Sequence, residues 1–192
     1  MTDFTKKTDE ELCQLSLENQ AAFYELMKRY ENKFLSYILR LGQFSKEDAE
    51  DILQEVYIKI YTNLNAFNKD LKFSSWGYRI AHNEVISQFR KNKNKFLVHL
   101  EDEDWQNLRQ EFDLDKEITK KIDNEIIAKI LEKMDIKYKE VLILKFLEDK
   151  SYEEISDILK KPMGTIATLI NRAKKQFKKI YKQSELSKDN RF

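Results

Sequence analysis

SYEEISDILKKPMGTIATLINRAKKQFKKIYK, residues 151–182, consists of two apolar-periodic segments that meet at a short turn, KKPMG. Ser151 and Glu154 have the spacing of a capping box, and Tyr152, Ile155, Ile158 and Leu159 follow as a core-facing stripe. Pro162 sits in the turn, where its fixed φ suits the start of a helix. Beyond it, Ile166, Ile170, Ala173, Phe177 and Ile180 fall at i, i+4, i+7, i+11 and i+14, one face of a helix. Thr165, Thr168, Asn171, Arg172, Lys175 and Lys179 are left on the other face. Basic residues stand at 160, 161, 172, 174, 175, 178, 179 and 182, with no acidic residue among them. A short helix, a tight turn and a longer basic helix make the pattern of a DNA-reading helix-turn-helix. Hydroxyl, amide and guanidinium groups near the helix start suit base edges, and the lysines behind suit phosphates. The alternative is a basic solvated helix in a chain whose Lys, Asn and Ile content reflects an AT-rich genome.

Upstream of this pair, Ile122, Ile126, Ile127, Ile130 and Leu131 predict one helix; Tyr138, Val141, Leu142, Lys145 and Phe146 predict a second. Residues 101–117 carry eight acids against Arg109 and Lys116 and lose periodicity, so 93–117 reads as an acidic linker, with room for a short helix near Trp105 and Leu108. The remainder divides into an N-terminal helical domain, 1–92, and a C-terminal one, 118–184, followed by a tail, 185–192.

In the N-terminal domain Thr8 and Glu11 form a capping box before a short helix through Leu12 and Leu15. A long helix over about 19–41 carries Phe23, Leu26, Met27, Tyr30, Phe34, Ile38 and Leu41, with Gly42 as its C′ residue. Ser45 caps the next helix, with Asp48 as reciprocal partner. That helix has two stripes: Ala49, Ile52, Leu53, Val56, Ile60 and Leu64 for the core, and Asp51, Gln54, Glu55 and Ile58 beside it. An acidic second stripe is ordinarily a solvated face; Ile58 within it points toward a protein contact. After the loop NAFNKDLKF, Ser74 or Ser75 caps a helix in which Trp76, Ile80, Ala81 and Phe89 face a core. Arg79, His82, Asn83, Ser87, Gln88 and Arg90 lie elsewhere on its circumference. Rings beside cations and amides suit single-stranded nucleic acid, although Trp76 and Tyr78 also read as core residues.

Three glycines and one proline in 192 residues, with abundant Lys, Glu, Leu and Ile, predict an all-α protein. Cys13 is the single cysteine, which excludes an intrachain disulfide; His82 and His99 lack metal-ligand company, so no metal or cofactor is expected. No apolar run is long enough for a signal sequence or a membrane span, so a soluble, cytoplasmic protein without membrane insertion is expected. No nucleophile–base pair stands out, which argues against an enzyme.

With these residues in place, the chain resembles a bacterial RNA polymerase sigma factor of the compact extracytoplasmic-function type. DAEDILQEVYIKIY (48–61) is similar to the region-two helix that grips the polymerase clamp helices. FSSWGYRIAHNEVISQFRKN (73–92) is similar to the segment for promoter melting and minus-ten recognition. YKEVLILKFLEDKSYEEISDILKKPMGTIATLINRAKKQF (138–177) is similar to region four, which reads the minus-thirty-five element. The resemblance implies two small helical domains, a region-two bundle and a region-four helix-turn-helix, joined by a flexible linker. It implies polymerase binding through Asp51, Gln54, Glu55 and Ile58. Minus-ten DNA would meet Asn65, Phe67, Asn68, Lys69, Lys72, Trp76, Arg79, Asn83 and Arg90. Minus-thirty-five DNA would meet Lys145, Thr165, Thr168, Asn171, Arg172 and Lys175. The implied partners are core RNA polymerase (clamp helices and flap of its large subunits), promoter DNA and an anti-sigma factor.

The sequence departs from the family pattern at several positions. Ala167 and Leu169 replace cations usual in the recognition helix, Met134-Asp135 replaces Leu-Pro, Ser87 replaces Asp, and Asp149 or Lys150 stands where a Gly usually precedes SYEEI. Asp tolerates the left-handed region, so that turn is expected to survive. An operator-binding helix-turn-helix dimer and a protein-interaction module remain as alternatives from other classes. The first leaves the Asp51/Gln54/Glu55 stripe without a task; the second predicts DNA affinity insensitive to sequence.

Overall fold

The structure is a computed structural model that describes residues 3–42, 44–69, 71–91 and 124–189, with side chains described through 183. The linker 93–117, its short helix, His99 and Ile122 lie outside the described residues, as does the side chain of Ile126. The chain divides into two compact units. Among the described residues every regular element is a helix or helical turn.

The N-terminal unit starts with a 3-10 turn, Phe4–Lys6, then α1 (Asp9–Leu15), α2 (Gln20–Gly42), α3 (Lys46–Thr62), a 3-10 turn (Leu64–Ala66) and α4 (Phe73–Lys91). The α1 capping box forms: Glu11 N–H donates to Thr8 Oγ1 at 3.2 Å, and Thr8 N–H donates to the Glu11 carboxylate at 2.8 Å. Ser45 Oγ accepts from Asp48 N–H at 3.1 Å, while the reciprocal contact runs from the Ser45 hydroxyl to the Asp48 carboxylate at 2.9 Å.

α2, α3 and α4 pack on one another, and α1 lies against α2 and α4. The expected stripes of α2 and α3 are buried, except that Phe23 is half-buried against Tyr61 (ring centroids 5.1 Å apart). Between α2 and α4 runs a chain of rings: Tyr37–Tyr78, Tyr78–Phe34, Phe34–Tyr30 and Tyr30–Phe73, each pair 5.1 to 5.2 Å apart. Such pairs add about 0.5–1.5 kcal/mol each beyond the area they bury. Phe34 reaches α4 at Gly77, where a Cβ would sit 2.7 Å from Phe34 Cζ.

Three sequence expectations change here. Gly42 is the last residue of α2 and has no positive φ, so it is not a left-handed C′ cap. Its role is spatial, since a Cβ at this position would overlap the Phe44 ring. α4 starts at Phe73, ahead of both candidate serines, and Ser75 is buried. The Phe73 N–H is satisfied from α1, donating to Glu10 Oε1 at 2.9 Å; a carboxylate at a helix N-terminus also complements the helix dipole. His82 is buried on α4, with Nδ1 3.1 Å from Tyr37 Oη.

The described chain beyond residue 123 forms α5 (Asn124–Lys133), α6 (Ile136–Leu142) continuing into a π turn (Ile143–Leu147), α7 (Tyr152–Leu159) and α8 (Met163–Asp189). α8 packs against α5 and α6. Ile127, Ile130 and Leu131 are buried as expected, but Tyr138 and Phe146 are only half-buried. The π turn offsets the helical register, so Val141 through Leu144 are buried consecutively, preceded by Lys139 and Glu140. Burial pushes the Lys139 ammonium down to about 7, partly opposed by Glu132. Asp149 holds φ 47 and Lys160 φ 52, the left-handed positions that bracket α7. The Ser151–Glu154 capping box forms at 2.9 and 3.1 Å, while Tyr152 is exposed and Leu159 half-buried. In α8 the buried stripe is Ile166, Ile170, Ala173, Phe177 and Tyr181; Tyr181 takes the place expected for Ile180, which is half-buried.

Candidate functional site

On α3, burying Ile52, Leu53, Val56 and Ile60 turns the second stripe to solvent. Asp51, Gln54, Glu55 and Ile58 are all exposed, Ile58 by 55%. These four residues line an open groove of about 400 Å³ together with Asp48, Ile52, Phe44 and Gln88. The groove has an apolar floor and an acidic rim, a surface suited to a protein partner carrying cations beside apolar side chains. Phe44 is buried in that floor against Gly42 and Phe89, which links the glycine to the shape of the groove.

The second site is built on the loop before α4. Asn65, Asn68, Lys69 and Lys72 are exposed. Phe67 is half-buried, with ring centroids 5.3 Å from Trp76 and 5.9 Å from Phe73. Trp76 is 7% exposed and Phe73 fully buried, so Trp76 supports Phe67 from beneath and offers no open face for stacking. Arg79, Asn83 and Arg90 stand at i, i+4 and i+11, a single line along α4 about 17 Å long, with Lys72 just ahead of the helix. Asn83 and Arg90 are exposed and Arg79 half-buried. Cations and amides in such a line suit a nucleic-acid backbone, and exposed polar groups in the loop at its head suit bases.

In the C-terminal half of the chain, Lys160 and Lys161 form the turn between α7 and α8. Ser156 Oγ donates to the Lys161 carbonyl at 2.6 Å, and Lys161 Nζ pairs with buried Glu140 on α6 at 3.0 Å. α8 starts with Thr165 and Ile166 N–H groups donating to the Pro162 carbonyl at 2.8 and 3.1 Å. Thr165, Thr168, Asn171, Arg172 and Lys175 are all exposed on the face opposite the buried stripe. Thr168 Oγ1 donates to the Gly164 carbonyl at 2.8 Å, which leaves its lone pairs outward as acceptors. Ala167 and Leu169 are half-buried. Lys145, half-buried, donates to the Lys150 carbonyl at 3.4 Å and lies 5.9 Å from the Tyr152 ring centroid, so it also secures the approach to α7.

Sequence reasoning missed the N-terminal anchor of the first unit. Arg29 makes five hydrogen bonds: to the carbonyls of Lys7, Phe4 and Thr5, to Asp9 and to Glu25, at 2.8 to 3.3 Å. Tyr30 Oη adds a 2.6 Å bond to Asp9, and burial together with that contact pushes its phenol far above the ordinary value. Cys13 is buried, which pushes its thiol up to about 12, an inert structural cysteine. Among the described residues no cluster of His, Cys, Asp and Glu is arranged to hold a metal, and no helix is long and apolar enough to cross a membrane.

The chain matches two family models, Sigma-70 region 2 over residues 26–95 and Sigma-70, region 4 over residues 124–177. It is 33% identical over 175 residues to the ECF RNA polymerase sigma factor SigW of Bacillus subtilis (strain 168), covering 86% of this chain and 92% of that one. It is 29% identical over 163 residues to the ECF RNA polymerase sigma-E factor of Escherichia coli (strain K12), covering 81% and 84%. Among solved structures, the fold is shared with CnrH, in complex with the cytosolic domain of CnrY, at TM-score 0.67 and 21% identity over 92% of this chain and 99% of that one. It is also shared with the sigma factor RpoE from Bartonella quintana, in complex with the anti-sigma factor NepR, at TM-score 0.63 and 20% identity over 83% and 96%. The chain belongs to the sigma-70 family as an extracytoplasmic-function sigma factor, a transcription initiation factor that directs RNA polymerase to promoters.

Proposed function

We propose that the two units divide promoter recognition between them. Region two, within 1–92, grips the polymerase clamp helices through Asp51, Gln54, Glu55 and Ile58. It captures unstacked minus-ten bases on Asn65, Phe67, Asn68, Lys69 and Lys72, with Arg79, Asn83 and Arg90 following the backbone and Trp76 bracing the loop. Region four, within 118–184, sets α8 in the minus-thirty-five major groove, where Thr165, Thr168, Asn171 and Arg172 meet base edges and Lys145 and Lys175 meet phosphates. The linker 93–117 joins them, α8 continues past the expected boundary at 184 to Asp189 in place of a tail starting at 185, and the polymerase flap is a second docking point.

The observation that carries this reading is the groove on α3. A merely solvated acidic face has no use for a half-exposed isoleucine set among two carboxylates and an amide over a phenylalanine floor. Strand separation needs no catalysis by this chain, because binding energy for unstacked single-stranded bases offsets the cost of opening the duplex. The protein therefore acts as a stoichiometric factor where polymerase is, in the cytoplasm. RpoE, with which it shares its fold, was solved with an anti-sigma factor, and a partner of that class is proposed here too.

In-vitro transcription with core polymerase and a promoter library tests the reading. Transcripts that depend on this chain and share both a minus-ten and a minus-thirty-five signature support it. Sequence-specific DNA binding without transcripts identifies an operator-binding regulator instead, and binding insensitive to sequence identifies an interaction module.

A further inference from the structure

We infer that Glu10 is a positioning residue for minus-ten recognition, acting through the N-terminus of α4. The inference rests on the proposed role of the loop at 65–72. α1 lies ahead of the stretch that matches region two, which begins at residue 26, so the family pattern assigns it no task. Yet α1 bridges α2 and α4, the helix that follows the loop. Asp9 is held by Arg29 and Tyr30 of α2, at 3.0 and 2.6 Å. The neighbouring residue, Glu10, accepts from the Phe73 N–H of α4 at 2.9 Å.

Phe73 is where the loop becomes a helix. Neither serine of FSSW caps it, as both lie inside the helix. The ring of Phe73 is fully buried, and Phe67 packs on it and on Trp76. Glu10 thus fixes the first amide of α4, the Phe73 ring fixes Phe67, and Phe67 fixes the loop that carries Asn65, Asn68 and Lys69. Without that acceptor the Phe73 N–H loses its partner and the first turn of α4 frays. The loop then samples many conformations, and the ordering cost is transferred to DNA binding. Glu10 itself touches no base in this scheme. It sets how much of the loop is already in its bound arrangement.

The test uses the full chain assembled with core polymerase. Three quantities are measured for Glu10→Ala, Glu10→Gln and the loop variant Asn68→Ala: affinity for a single-stranded minus-ten oligonucleotide, affinity for a minus-thirty-five duplex, and affinity for core polymerase. Glu10→Ala is expected to weaken oligonucleotide binding about tenfold, the size of a lost helix cap, with the other two affinities unchanged. Glu10→Gln keeps an acceptor oxygen at the same reach and is expected to restore most of the loss. Equal losses in all three affinities for Glu10→Ala would mean general destabilisation and overturn the inference, as would a Glu10→Gln variant no better than Glu10→Ala. If Asn68→Ala weakens oligonucleotide binding and Glu10→Ala does not, the positioning role alone falls. If neither does, the loop assignment falls with it.

Discussion

The Lys59 ammonium on α3 meets the Glu84 carboxylate on α4, and Glu84 is 3% exposed. The contact joins the helix that carries the acidic groove to the helix that carries Arg79, Asn83 and Arg90. Gln88, which also lines the groove, donates to the other Glu84 oxygen at 2.9 Å. Burial alone pushes the Glu84 carboxyl up; the hydrogen bonds from Lys59 and Gln88 and the charges of Lys59 and Lys91 outweigh it and hold the group below its ordinary value.

Lys59→Met should therefore cost about 1–3 kcal/mol at pH 7, because it leaves a buried carboxylate short of its main partner. The sign of the pH dependence follows from the lowered folded value. The pair's contribution is complete above the unfolded carboxyl range and is lost as pH falls through the folded value. Urea denaturation of wild type and variant across a pH series from 7 downward should show the gap narrowing in acid, closing only once the pH falls below the lowered folded value of Glu84.

Gly42→Ala places a methyl group into the Phe44 ring. Displacing that ring should cost about 1–3 kcal/mol of stability, the range for overpacking a filled site. Because Phe44 floors the groove beside Asp51 and Glu55, the variant should also bind core polymerase less tightly than its loss of stability explains. Thermal melting paired with a polymerase titration separates the two effects.

Gly164 has the opposite character. A Cβ there meets nothing within 4 Å, and its φ is not positive, so the fold gives no reason for glycine in the first turn of α8. Gly164→Ala should stabilise the protein by up to about 1 kcal/mol from helix propensity. If the DNA backbone approaches α8 closely at this point, the same variant should weaken minus-thirty-five duplex binding. Denaturation and duplex binding measured on one preparation test both parts.

Arg172→Ala should lower affinity for the preferred minus-thirty-five duplex by about 1–3 kcal/mol and relax preference at one base position. Lys175→Ala should weaken all duplexes alike and reduce the salt dependence of binding. Binding titrations on matched and mismatched duplexes at two salt concentrations distinguish these roles.

Much of this architecture is legible in the chain because period and caps agree. The Thr8–Glu11 and Ser151–Glu154 boxes, the α3 double stripe and the exposed face of α8 follow from spacing alone. What sequence reading misses is set by contacts distant in the chain. The cap of α4 is Glu10, 63 residues away, so local serines mislead. His82 reads as lying off the core face until Tyr37 meets it. Phe146 is misassigned because a π turn, which no composition signals, offsets the register after Leu142. Trp76 as a nucleic-acid contact is a subtler case: the ring lies beside the loop but under it. Asp149 at φ 47 bears out the left-handed turn expected where the family pattern carries glycine.

The groove on α3 underlies the functional reading, so the affinity of Asp51→Ala/Glu55→Ala for core polymerase tests it most directly. Both side chains are exposed, so the helical circular dichroism and melting temperature should stay at wild-type values. The expected result is polymerase affinity reduced by about a hundredfold, in line with two rim carboxylates that meet cations on the partner. Unchanged affinity in a folded double variant would contradict the assignment of this face to polymerase.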